Sequence, residues 1–420
     1  MVKAHSYKDF ILQVGQWLME NYWAPMWRTV QAEPELVGVV PGFLIQPEKL
    51  IYYIGRTHIG IEYVGPERLT EMPTGKGVVT AQYFDYSLKE CNLLNEIIGL
   101  DFSDGTIALP LPPLSEDLVL PTNAGFDELE RLKWNWAAQE MALGLNTGGL
   151  MAPEGQFTRI VNGRFFDVGE SGLKVRYIRW LDLIPCKYDG SGDEFDRFSM
   201  DLSIFSGLAK MDPRRPFPVP DDFRLDRLQR VNRFVELLGD RSLTEPRITS
   251  ALADKKFEFI LRMRFSATTV YPELLCEWQG GKRKAIKPDF SVVGPDGFAD
   301  IVEFKLPETA GVTVVGRDNR EAFSAQVNSY IAQTRVYLEH FDDPRNREYV
   351  QKTYGFQAYK PRRFLVVGRR WHFSNSAWRA IAADHHGLSI MTYDDLIDGV
   401  VAQFFAQPAH QRFKPTPRHK

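Results

Sequence analysis

Residues 287–307 read KPDFSVVGPDGFADIVEFKLP. The stretch parses as strand, four-residue turn GPDG and returning strand, because Gly and Pro supply the torsions that a hairpin needs. Side chains alternate along a strand, so Glu303 and Lys305 share a face with Ile301, while Asp300, Val302 and Phe304 face the other way. Asp289 starts the first strand, just after Pro288, where it reaches the same spot opposite Glu303. Two carboxylates and an ammonium then converge. Two carboxylates can hold a hard cation such as Mg²⁺ or Mn²⁺ through oxygen, and such a cation polarises a phosphate and lowers the pKa of bound water. The lysine can position that water or stabilise the charge that builds on the phosphorane. Phosphodiester hydrolysis needs both functions. A Glu and a Lys two apart would by themselves mark only the solvent face of a hairpin. The Pro-Asp pair, the spacing across the turn and the flanking apolar residues turn the reading towards chemistry.

The elements that must position this hairpin are legible on both sides. Upstream, LTEPRITSALADKKFEFILRMRF places Thr244 and Glu245 at an expected helix start. Downstream, REAFSAQVNSYIAQTRVYLEHF reads as a helix on which Gln326 and Tyr330, four apart, face the same side. RRFLVVGR follows as a strand, and in LSIMTYDDLID Tyr393 and Asp395 are expected to pack or cap the last helix. Further back, MDPRRPFPVPDDF over residues 211–223 is the clearest linker, since proline fixes torsions and removes amide donors. Asp221 or Asp222 is placed to cap a helix running to Gly239, with Leu225, Leu228, Val235 and Leu238 inward. Phe126 to about Leu145 is expected to be one helix with Leu129, Leu132, Trp136 and Leu143 on its stripe, and residues 157–188 to be strands turning at Gly169 to Gly172. The first 120 residues, with GVVPGFLIQ, KLIYYIGRTHIGIEYVG and KGVVTAQYFDYSL between Gly and Pro, read as strands and turns. The expected fold class is α/β (α+β multidomain). Residues 1–120 form a β-rich N-terminal domain, 121–220 a second α/β region ending in the linker, 221–407 the domain carrying the hairpin, and 408–420 a basic tail.

At this point the PD…EFK pattern across a hairpin resembles the PD-(D/E)xK nuclease superfamily. The order of helix, VYPELLCEW, KPDF, IVEFKLP, Gln326 helix, RRFLVVGR and TYDDL narrows it to the C-terminal nuclease domain of the Shedu anti-phage defence proteins, over roughly residues 242–407. The resemblance implies a restriction-endonuclease-like domain with a mixed central sheet flanked by helices. It also implies a metal-dependent DNA endonuclease that nicks or cuts phage or plasmid DNA, restrained or triggered by its N-terminal part, and assembly as a homo-oligomer, tetramers included. In that superfamily a carboxylate from the preceding helix completes the metal site. Glu245 is the candidate, with Glu258 as the alternative. Gln326 and Tyr330 correspond to a Q-xxx-Y pair that lies near the metal or the DNA backbone in several branches.

Charge agrees with a polyanionic partner only in the second part of the chain. The net charge is −3, yet from Asp254 onward 25 Lys and Arg stand against 19 Asp and Glu. Lys282, Arg283, Lys284 and Lys287 precede the catalytic strand, and Arg317, Arg320, Arg362, Arg363, Arg369 and Arg370 follow it. As a cluster such residues would neutralise phosphates without reading bases. Cys91, Cys186 and Cys276 are far apart and lack zinc-ligand spacing. TGKGVV lacks the spacing of a phosphate-binding loop, His385 and His386 lack a third ligand, and there is no G-x-S-x-G elbow. Lys8 and Asp9 interrupt the apolar run that a signal peptide requires, no stretch could span a bilayer, and the cytoplasm is the expected location. The hairpin would equally serve a repair or recombination nuclease, or a nucleic-acid-binding module without turnover.

Overall fold

The computed structural model describes the chain except residues 1, 5–6, 75–77, 139–140, 145, 189–197, 218–222, 282, 310–311, 318–319, 374 and 406–420. The protein is a mixed α/β molecule with a β-rich N-terminal part. It divides into two compact units, residues 1–131 with 135–226, and residues 132–134 with 227–420. The capping aspartates 221 and 222 and the basic tail lie outside the described residues.

After a short strand at Val2–Ala4, the N-terminal unit has helices where strands were expected. Helix α1 (Tyr7–Leu18) runs through a π-helical turn (Met19–Trp23) into α2 (Ala24–Ala32), a 3₁₀ turn follows at Pro34–Gly38, and GVVPGFLIQ contributes the single helical turn Gly42–Ile45. Phe10, Val14, Leu18, Tyr22, Met26 and Val30 recur every four residues and are all buried. A strict period of four drifts around a 3.6-residue helix, and the wider π turn takes up part of that drift. Pro25 falls in the first turn of α2, where a missing amide hydrogen costs nothing.

The strands β1 (Lys49–Ile54), β2 (His58–Val64) and β3 (Thr80–Asp85) follow as expected. So do β5 (Thr158–Gly169) and β6 (Gly172–Tyr188), a long hairpin closed at the Gly169–Gly172 pair. Between them β4 (Leu118–Pro121) pairs in parallel with β5, so one sheet crosses residue 120 and no compact unit ends there. Helix α3 covers only Asn123–Arg131, and Lys133 adopts a left-handed φ of 65°. The expected single helix to Leu145 therefore stops, and residues 136–138 form a separate 3₁₀ turn.

Helix α4 (Phe223–Leu238), which belongs to the C-terminal unit from Arg227 onward, precedes α5 (Glu245–Ala253) and α6 (Glu258–Phe265). A five-stranded mixed sheet follows. It is built from β7 (Thr269–Pro272), β8 (Phe290–Val293), β9 (Ala299–Phe304), β10 (Arg363–Val366) and β11 (Leu388–Met391), in that spatial order. The first three are antiparallel and the last two join β9 in parallel. Helices α7 (Ala325–Asp342), α8 (Pro344–Tyr354) and α9 (Tyr393–Phe405) belong to the same unit, as does a shorter helix at Asn375–Ala383. Because β9 is central, it is apolar on both faces apart from Asp300 and Glu303, as parallel neighbours demand.

Candidate active site

The GPDG turn sets the site. Gly297, at φ 80°, donates its amide to the carbonyl of Gly294, and the register that follows pairs Phe290 with Val302. The next pair along brings Asp289 opposite Glu303. Asp289 Oδ2 accepts from the amide of Phe304 at 2.7 Å, which ties the start of β8 to the end of β9. Lys305 follows directly. Its amide donates to the carbonyl of Val366 at 2.9 Å, and its own carbonyl accepts from the hydroxyl of the fully buried Tyr393 at 2.6 Å. The TYDDL segment thus packs Tyr393 beneath the lysine, while Asp395 caps the start of α9 by accepting from the amide of Thr392 at 3.0 Å.

Around Lys305 the structure gathers most of the expected residues. Its Nζ donates to Glu245 Oε2 at 3.2 Å and to Glu303 Oε1 at 3.4 Å, and stands 5.5 Å from the centre of the Tyr330 ring. Glu245 reaches the site from the first residue of α5, whose N-cap Thr244 has extended backbone. Glu258 starts α6 instead and pairs with Arg262. Gln326 donates to the hydroxyl of Tyr330 at 2.8 Å and so touches the constellation only through that tyrosine.

Two residues that the sequence reading missed sit on Glu303 itself. Gln333 Nε2 donates to its Oε1 at 2.6 Å, and the Tyr337 hydroxyl donates to its Oε2 at 2.8 Å. Gln326, Tyr330, Gln333 and Tyr337 are spaced four, three and four, so they form one stripe along α7. The signal was a second Q-xxx-Y pair seven residues after the first.

The electrostatics follow from crowding charge out of water. Burial first, and the neighbouring Glu303 second, push Asp289 up from 3.8 to about 7. Burial also raises Glu303, against the pull of Lys305 and the Tyr337 hydrogen bond. Lys305 loses from burial, but Glu303 and Glu245 outweigh that loss and hold its pKa above the ordinary lysine value, so it stays charged.

Among the described residues no group of three or more His, Cys, Asp or Glu is arranged to hold a metal ion. The donor set nevertheless fits Mg²⁺, which binds through one or two carboxylates and completes its shell with water and phosphate oxygens. Asp289 and Glu303 are such a pair, and their mutual repulsion is what a dication would relieve. Glu245, expected as a third ligand, is spent on Lys305.

The expected phosphate-binding cluster is partly structural. Arg369 is completely buried and bonds to Asp394 at 2.8 Å, and Arg363 is buried with its guanidinium on Thr334. Arg362 pairs with Asp300 and Arg370 with Asp395 and Asp398. Arg283 pairs with Glu339 and Lys287 with Glu273. Lys284, Arg317 and Arg320 are exposed and have no ion pair among the described residues. Lys282 lies outside the described residues.

Residues 242–397 match the family model described as Shedu protein SduA, C-terminal. This part of the chain is a Shedu C-terminal domain. The match spans α5 to the start of α9, the same elements that assemble the carboxylates and lysine, and leaves the N-terminal unit uncovered. It supports a role for the protein in anti-phage defence. No curated protein matches the chain. Among the described residues of the Shedu domain and the N-terminal unit, no helix is long and apolar enough to cross a membrane.

Proposed function

We propose that the Shedu domain hydrolyses phosphodiester bonds in DNA with the help of Mg²⁺ or Mn²⁺, as the effector of anti-phage defence, with the unit of residues 1–226 regulating or sensing. The observation that carries this reading is the placement of Lys305 Nζ within 3.4 Å of both Glu303 and Glu245, with Asp289 paired across the hairpin. Asp289 and Glu303 would hold the cation, which when bound supplies Lewis-acid polarisation of a phosphate oxygen and acidifies water. Lys305, kept charged by its two glutamates, donates hydrogen bonds to the negative charge that grows on the phosphate. Gln333 and Tyr337 fix the Glu303 carboxylate in one orientation, and Tyr393 fixes the lysine backbone. Lys284, Arg317 and Arg320, which have no ion pair among the described residues, provide cations for backbone phosphates.

The test is cleavage of supercoiled and linear DNA by the wild type and Lys305→Ala, each with Mg²⁺ and with EDTA. Nicking that needs Mg²⁺ and drops by orders of magnitude in the variant is the expected result. Cutting that survives in Lys305→Ala would overturn the site. One observation favours a second reading, a domain that binds DNA without turnover: both oxygens of Glu303 are already engaged by Gln333, Tyr337 and Lys305. DNA binding without cleavage under every metal condition would select it.

A further inference from the structure

The N-terminal unit contains a cavity of about 610 Å³, within the range of about 300–1,000 Å³ typical of sites for small organic ligands. It forms beside the buried stripe of α1 and α2. Leu18, Tyr22 and Met26 face the core, and the residues one position further on, Met19, Trp23 and Trp27, make a second stripe four residues apart that lines the cavity. The π-helical turn Met19–Trp23 carries the first part of this wall, and such turns recur at functional sites. Leu44 and Leu50 contribute to the rest of the lining.

The polar side chains of this wall are few: Arg28, Gln46 and Thr74. Among the described residues Arg28 is the only charged one that lines the cavity, and none of those lining it carries a carboxylate. Arg28 Nε donates to the carbonyl of Ala24 at 3.3 Å, and its terminal nitrogens have no ion-pair partner among the described residues. The indole Nε1 of Trp23 is buried without a hydrogen-bond partner. Trp27 has no aromatic partner among the described residues, whereas Trp23 packs edge-on against Tyr63. The cavity thus offers tryptophan surface and a guanidinium without an ion pair, with nothing acidic among the described lining residues to repel an anion.

We propose that this cavity binds a small organic anion with a planar aromatic body, its rings against Trp23 and Trp27 and its negative group on Arg28. Indole faces suit flat rings, and a guanidinium fork suits a carboxylate, sulfonate or phosphate. The inference concerns the N-terminal unit alone and stands whether or not the Shedu domain cuts DNA.

The experiment titrates the full-length protein with anilinonaphthalene sulfonate, an aromatic anion, and with the neutral N-phenylnaphthylamine, following probe fluorescence. Both should saturate a single site, the sulfonate the more tightly. Arg28→Gln, a change at an exposed side chain that leaves the fold in place, should weaken the sulfonate about tenfold or more, the loss of one charge-assisted contact, and leave the amine unchanged. Ala24→Phe, which projects into the cavity, should weaken both probes while circular dichroism stays that of the wild type. Binding that does not saturate, or a sulfonate affinity untouched by Arg28→Gln, would overturn the proposal.

Discussion

Tyr337 donates its hydroxyl to Oε2 of Glu303 at 2.8 Å, from one turn beyond the Gln333 amide that donates to Oε1 of the same carboxylate. Both donors belong to α7 and their acceptor to β9, so the helix decides which way the central carboxylate of the site points. Tyr337→Phe keeps the ring in its packing and removes one donor from a buried acceptor. It should lower unfolding free energy by about 1–3 kcal/mol in chemical denaturation. The rate of DNA cleavage should fall while the affinity for DNA holds. Wild-type values for both stability and rate would mean that Glu303 is held by something else.

Tyr393 acts on the other end of the constellation, through the carbonyl of Lys305 at 2.6 Å. It touches no reacting group and serves as a positioning residue. In Tyr393→Phe the carbonyl loses its partner, a change of about 1 kcal/mol in stability, and the ammonium is less firmly placed. The maximal cleavage rate should fall by more than that change in stability accounts for, with the substrate concentration for half-maximal rate unchanged. A change confined to substrate affinity would argue for a role in binding DNA instead.

How much of this was legible in the sequence depends on the range of the contacts. The hairpin was readable because Asp289, Glu303 and Lys305 lie within 17 residues of one another around a turn whose glycines announce it. Glu245 was readable as a helix start, yet its partner Lys305 is 60 residues away and could be found only in three dimensions. Gln333 and Tyr337 were missed because two Q-xxx-Y pairs share one stripe, and only the packing of α7 on β9 decides which of them meets Glu303. The helices at residues 7–45 were misread because Gly and Pro punctuation outweighed a four-residue apolar period. The early stop of α3 rests on Lys133 in a left-handed conformation, a choice made by tertiary packing that a lysine does not advertise.

Asp289 gives the domain a pH dependence with a definite sign. Its folded pKa, raised from 3.8 to about 7 mainly by burial and by Glu303, means that the folded state holds a proton that the unfolded chain releases. Stability should therefore be greatest below about pH 4 as far as this group is concerned, and decline as pH rises to about 7. Asp289→Asn removes the titration. The variant should melt higher than the wild type at pH 8 and lose most of that advantage at pH 5, measured by differential scanning calorimetry. Added Mg²⁺ should raise the wild-type melting temperature at pH 8 and leave that of Asp289→Asn nearly unmoved. Equal melting profiles for the two proteins across this range would mean that the aspartate is not strained by its neighbour.

The basic residues on either side of the catalytic strand separate into two groups with opposite expected phenotypes. Arg369 is completely buried and bonds to Asp394 at 2.8 Å and 3.1 Å through two nitrogens. Removing it leaves Asp394 without its counter-charge, so Arg369→Ala should cost about 3–5 kcal/mol in stability, seen as a lower denaturation midpoint. Lys284 and Arg320 are exposed with no ion pair among the described residues, so replacing either by Ala should leave the midpoint unchanged. If they contact phosphates, each replacement should weaken DNA binding irrespective of sequence and reduce the dependence of log affinity on log salt by about one unit. The salt slope decides the matter, because a base-reading side chain or a purely structural one would leave it where it was. A wild-type slope in both surface variants would mean that neither side chain contacts a phosphate.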